Sequence, residues 1–190
     1  MKKFFLLVVM AGSFAAASAQ INYGVKGGLN VANLGGEDIE DNKAKLGFHV
    51  GGFVGVSVAE NFSIQPELVY SLQGAKFSGD AKYNLSYLNI PVLARYTTQS
   101  GFFGETGPQL GFLMSAKAKY DGGSSNVKDE LKKTDFSWAF GVGYLTQSNV
   151  GVSARFNLGL SKLDEEGEAK VFNRVFQVGL FYVLGNTSTK

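Results

Sequence analysis

Five ionisable residues, Lys26, Glu67, Arg95, Glu105 and Arg155, stand singly within otherwise uncharged stretches of this 190-residue chain. Charges isolated in apolar surroundings support two kinds of chemistry. They can neutralise one another as a buried, hydrogen-bonded network, or they can line a gated ion path or ligand site. An ion taken out of water is costly unless it is paired, so mutual pairing is the first expectation. Catalysis is a weaker alternative. His49 is the only histidine, and Ser57 and Ser71 are candidate nucleophiles only in sequence terms. A lipid hydrolase needs nucleophile and base together at a lipid-facing rim, and an inward His49 stands on the wrong face. A lone histidine without neighbouring carboxylates makes no metal site. The chain has no cysteine, hence no disulfide, thiolate ligand or thiol nucleophile. No catalytic, cofactor or metal residue is expected.

The elements that must position these residues follow a two-residue rhythm. Eight segments, near 21–31, 46–58, 62–73, 84–97, 102–114, 136–144, 150–160 and 173–184, alternate apolar and polar residues. Successive side chains of a strand point to opposite faces. One face here is Phe, Tyr, Leu and Val; the other is Gly, Ser and Asn with the five charges. A greasy wall around a small polar filling is the pattern of a membrane barrel, and each segment is long enough to cross a bilayer as a tilted strand. The expected fold is an all-β, eight-stranded antiparallel up-and-down transmembrane β-barrel, since an even count closes without an exposed edge. Eight strands leave room inside only for side chains. Neighbouring strands would pair Glu67 with Arg95 and Arg95 with Glu105, and Lys26 and Arg155 would complete the cluster across the lumen. Pro91 lacks a ladder donor, so a bulge or local register break is expected there. The glycines at inward strand positions relieve crowding; none precedes a helix as a phosphate loop would.

The ends of the chain carry addresses. Lys2 and Lys3, an apolar run from Phe4, and Ala17-Ser18-Ala19 read as a signal peptide over residues 1–19, cleaved after Ala19. A barrel over 20–185 and a short polar tail over 186–190 follow. The full chain has 18 Lys+Arg and 16 Asp+Glu; loss of Lys2 and Lys3 leaves 16 of each, a net charge of zero that gives no reason to expect nucleic acid. The connections alternate long (33–45, 74–83, 115–134, 162–172) and short (59–61, 98–101, 147–149). Short turns are periplasmic in such barrels, which sets both termini in the periplasm. Tyr23, Phe62, Tyr96, Phe103, Phe136 and Tyr144, near strand ends, are expected in two interfacial girdles. The acidic loops 35–41 and 164–168 lack the spacing of a calcium loop. Lys117, Lys119, Lys128, Lys132 and Lys133 in the third long loop could meet lipopolysaccharide phosphates, but Asp121, Asp129, Glu130 and Asp135 lie among them.

In the closing segment, Gln177, Gly179, Tyr182 and Leu184 resemble the assembly signal of outer-membrane barrels, although Leu184-Gly185 and a polar tail stand where an aromatic usually ends the chain. The stretches Tyr23-Gly24-Val25-Lys26-Gly27-Gly28-Leu29-Asn30, Pro66-Glu67-Leu68, Tyr87-Leu88-Asn89-Ile90-Pro91-Val92 and Gly104-Glu105-Thr106-Gly107-Pro108-Gln109-Leu110-Gly111 resemble the PorT-like outer membrane protein beta-barrel family, and the architecture is similar to small OmpA-type and OmpX-type barrels. The resemblance implies outer-membrane localisation, with outer-membrane lipid and lipopolysaccharide, the barrel assembly machinery, and envelope or secretion proteins as partners. One branch of that family is tied to secretion and gliding. The expected role is non-enzymatic, with the exposed loops serving structure, adhesion or scaffolding. A narrow porin-like channel or a secretion accessory is the alternative.

Overall fold

The computed structural model describes residues 20–36, 43–77, 82–120, 123–162 and 171–188. The expected signal peptide and cleavage site, and most of the two acidic loops, lie outside the described residues. Eight long strands run in chain order as β1 (Gln20–Gly36), β2 (Lys43–Ala59), β3 (Phe62–Lys76), β4 (Lys82–Thr97), β5 (Phe102–Tyr120), β7 (Thr134–Leu145), β8 (Val150–Gly159) and β9 (Val171–Ser188). A four-residue strand, β6 (Gly123–Asn126), folds back on the end of β5 and stays out of the ring. Each long strand pairs antiparallel with its successor, and β1 pairs with β9 along its whole length, closing a ring of eight. Residues Asn186–Ser188 continue β9 and pair with Gln20–Asn22, so the strand runs past the boundary expected at 185.

The alternation read from the sequence decides the wall. On β5, Phe103, Glu105, Gly107, Gln109, Gly111 and Leu113 are buried, while the residues between them are exposed. Leu29, Val50, Leu68, Leu110, Phe140, Val152 and Leu180, all exposed, face outward around the ring. No soluble monomer leaves so continuous an apolar belt to water; hydrocarbon is its solvent.

Two short turns repeat one chemistry. Thr98-Gln99-Ser100-Gly101 and Thr146-Gln147-Ser148-Asn149 each carry a threonine–serine hydroxyl contact of 2.9 Å. In each, the threonine hydroxyl also donates to the carbonyl four residues on, Phe102 or Val150. The fourth position has positive φ, 96° at Gly101 and 64° at Asn149, a region that glycine and asparagine tolerate best.

The expected bulge at Pro91 is absent. Pro91 faces Gln109 in a register that holds from Tyr87 to Thr97, and the shift against β5 falls at Ser86/Tyr87. Pro91 points inward and is buried; a missing donor interrupts the ladder without requiring an inserted residue.

Candidate functional site

The lumen is built in layers. Nearest the short turns lies an aromatic layer, Phe53, Phe103 and Phe181 with Val183. The Phe181 ring meets Phe53 and Phe103 edge-on at 6.0 and 5.7 Å. Phe103 was expected in an outer girdle, but it shares the parity of Glu105 and points inward with 5% exposure. Tyr23, Phe62, Tyr96 and Phe136 are on the outer face, exposed, and Tyr144 is half-buried there against Phe102.

Above this layer the structure brings the five isolated charges together. Arg155 is the hub. Its guanidinium donates through Nη1 and Nη2 to both oxygens of Glu67 at 2.8 Å, and through Nε to Oε1 of Glu105 at 2.8 Å. Lys26 Nζ donates to Glu67 Oε2 at 3.0 Å, and Arg95 Nη2 to Glu105 Oε2 at 2.6 Å. Gln65 adds a fourth donor to Glu67. The neighbour pair Arg95–Glu105 therefore forms, while Glu67 turns to Lys26 and Arg155 instead of Arg95. A planar fork reaching two carboxylates explains why an arginine occupies the centre. Three cations face two anions, and the extra positive charge is met by aromatic faces: the Arg95 guanidinium carbon lies 4.0 Å from the Phe103 ring centre and 5.5 Å from that of Phe181. Phe103→Leu keeps the position apolar and removes the aromatic face. It should cost about 0.5–2 kcal/mol, read as a lower urea midpoint with unchanged slope; no change in midpoint would show that the ring only fills space.

A neutral polar layer follows, containing Asn30, His49, Ser71, Gln73, Asn157, Asn173 and Gln177. Asn30 Oδ1 accepts from Gln177 Nε2 at 3.0 Å and lies 2.8 Å from His49 Nδ1, an acceptor that fixes the imidazole proton on Nδ1. Asn30 Nδ2 reaches Ser71 Oγ at 2.9 Å and the carbonyl of Leu72 at 2.8 Å. His49 and Ser71 are cross-strand partners, yet Asn30 stands between them and both are buried. This is a buried hydrogen-bonded cluster. Ser57, lower on β2, is half-buried and takes no part in it. The alternation sets most of these amides inward but does not show that they join in one layer, and it leaves Asp135 at a loop edge, whereas Asp135 is buried and accepts from Ser161 Oγ at 2.7 Å. Inward parity was the available signal for the amides on β1, β3, β8 and β9.

Toward the long-loop end the described lumen residues are hydrocarbon. Leu85, Tyr87, Leu113 and Ala116 from β4 and β5 pack with Val127, which follows β6. Leu34 and Ala75 form a second cluster, and Leu131 packs against both. The segment is held by Val127 N–H to the Ala116 carbonyl at 3.1 Å and Leu113 N–H to the Lys133 carbonyl at 2.8 Å. Of the four residues expected in an assembly signal, Gln177 faces the lumen and also accepts from Asn157 Nδ2 at 3.0 Å. Gly179 opposes Gly28 across the β1–β9 seam, and Tyr182 and Leu184 face outward.

An apolar wall, eight closed strands and a charge-paired interior define a small transmembrane β-barrel. Residues 13–165 match the family described as outer membrane protein beta-barrel domain. The chain belongs to that family and is an outer-membrane barrel. Among solved structures it is similar to Ail, the attachment invasion locus protein of Yersinia pestis (16% identity, TM-score 0.51), covering 88% of this chain and 99% of Ail. It is similar also to Neisserial surface protein A (15% identity, TM-score 0.56), covering 84% of this chain and 96% of that one. These likenesses show the shared fold. No curated protein matches the chain in sequence.

Proposed function

We propose that this barrel is non-enzymatic and acts through its long loops, as a structural, adhesive or scaffold element of the envelope. The observation that carries the reading is the packing of the lumen: a buried ion network lies between an aromatic layer and a hydrocarbon cluster. In this reading the short turns and both termini are periplasmic, and the long-loop end meets the outside. Gln177, Gly179, Tyr182 and Leu184 serve recognition by the assembly machinery, with cleavage after Ala19 preceding it. The motifs around Gly28, Pro66, Pro91 and Gly107 support a likeness to the PorT-like family, without selecting its secretion-linked branch. Ail, similar in fold, is an attachment protein by its own name.

Two measurements test the proposal. In planar bilayers the purified protein should give no stable conductance steps; reproducible openings would favour the channel alternative. In intact cells, a tag inserted between Tyr120 and Gly123 should be reached by antibody from outside. A tag reached only after permeabilisation would reverse the orientation. Deleting residues 117–126 should then reduce surface attachment or envelope integrity while leaving a folded barrel.

A further inference from the structure

Four lysines line up across four adjacent strands. Lys43 pairs with Lys76, Lys76 with Lys82, and Lys82 with Lys119, so one rung across β2, β3, β4 and β5 is entirely basic. Lys117 stands one step inside it, opposite Asn84. Residues directly opposite in a ladder share a face, and like charges there destabilise a sheet. A rung of this kind is held against its own repulsion. Among the described residues none of these lysines makes an ion pair with a carboxylate, in contrast to the paired charges of the lumen.

Two irregularities set where the lysines point. On β5, inward parity passes from Leu113 to Ala116, both buried, at the register shift opposite Ser86/Tyr87. Bulges re-aim the side chains beyond them, and this one turns Lys117 and Lys119 outward. On β4, Leu85 is buried and Lys82 takes the outward parity. On β3, Ala75 is buried and Lys76 is exposed. The shift between Ala44 and His49 brings Lys43 into the same row. Directly below on the outer face lie Leu46, Tyr70, Phe112 and Met114, exposed by 70, 39, 36 and 52%. The rung therefore caps the apolar belt, at the level where a bilayer presents its headgroups.

We infer that this rung is a binding site for an outer-leaflet lipid with clustered phosphates, its acyl chains lying on the wall between β2 and β5. Charge complementarity selects a polyanion, and continuity with the apolar belt selects one that is itself anchored in the membrane. Lysines, as compact strongly hydrated charges, suit several phosphates without fixed geometry. The inference rests on the orientation proposed above, but its test does not depend on orientation.

The full-length mature protein is folded into phosphatidylcholine nanodiscs containing either diphosphoryl lipid A or the same lipid with its phosphates removed, and retained lipid is counted by native mass spectrometry. Wild type should retain the diphosphoryl form and discriminate against the dephosphorylated one. A juxtamembrane charge is worth roughly a five-fold change in affinity, so K82Q should weaken retention about five-fold. The triple variant K76Q/K82Q/K119Q should weaken it on the order of 100-fold. In pure phosphatidylcholine the triple variant should unfold at the same urea concentration as wild type or a higher one, because repulsion has been removed. That separates a lost site from a lost fold, and K82Q alone serves if the triple variant does not fold. Equal retention by wild type and K82Q would overturn the site. So would an equal loss in K128Q/K132Q/K133Q, which would make the effect one of diffuse charge. Displacement of the lipid by stoichiometric sucrose octasulfate would overturn the choice of a membrane-anchored ligand in favour of a soluble polyanion.

Discussion

Glu67→Gln is expected to destabilise the barrel by about 3–5 kcal/mol, the range for stripping one partner from a buried ion network. Gln is nearly isosteric, so the change is one of charge. Glu67 accepts from Lys26, both terminal nitrogens of Arg155, and Gln65. Without its charge, one carboxylate, Glu105, faces three cations. Arg95→Met removes a cation from the end of the chain and leaves two of each sign, so its cost should be clearly smaller. The double variant Glu67→Gln/Lys26→Met restores the original excess of one positive charge and should regain a large part of the loss, a coupling that a double-mutant cycle measures directly. Urea unfolding from lipid vesicles, followed by the single tryptophan, Trp138, provides the readout. Additive losses in the double variant, or equal costs for Glu67→Gln and Arg95→Met, would refute the arrangement with Arg155 at its centre.

Gly28→Val should prevent barrel closure altogether. Gly28 and Gly179 face one another across the β1–β9 seam, with the His49 ring in the space both leave. A Cβ at Gly28 would lie 2.2 Å from the Val178 carbonyl oxygen, 2.4 Å from the Gly179 Cα and 2.9 Å from His49 Cε1. The first two are backbone atoms of the closing strand and cannot move without opening the ladder. Gly27→Ala, one residue away on the outer face, meets only the His49 carbonyl oxygen at 3.4 Å and should fold normally. Heat-modifiable mobility on gels distinguishes the outcomes: absent for Gly28→Val, retained for Gly27→Ala. A folded Gly28→Val barrel would mean that the seam is looser than its contacts indicate.

The sequence by itself determined the wall, the strand count and the members of the ion network. Each rests on side-chain parity, a local property with a period of two residues that survives without knowing which strands meet. Lys26, Glu67, Arg95, Glu105 and Arg155 could be assigned inward from their own segments alone. Only the tertiary structure decided who pairs with whom. Glu67 and Arg155 lie 88 residues apart, and they meet because ring closure and strand stagger bring β3 and β8 to one height across the lumen. Loop conformation was equally out of reach, so the cap made by Val127 and Leu131 left no periodic trace. Bulges set the remaining limit: a single shift inverts parity for everything beyond it. That is why Lys117 and Lys119 read as residues of a mixed-charge loop in sequence, yet stand in the structure on the outer rim, Lys119 as one end of a continuous basic rung.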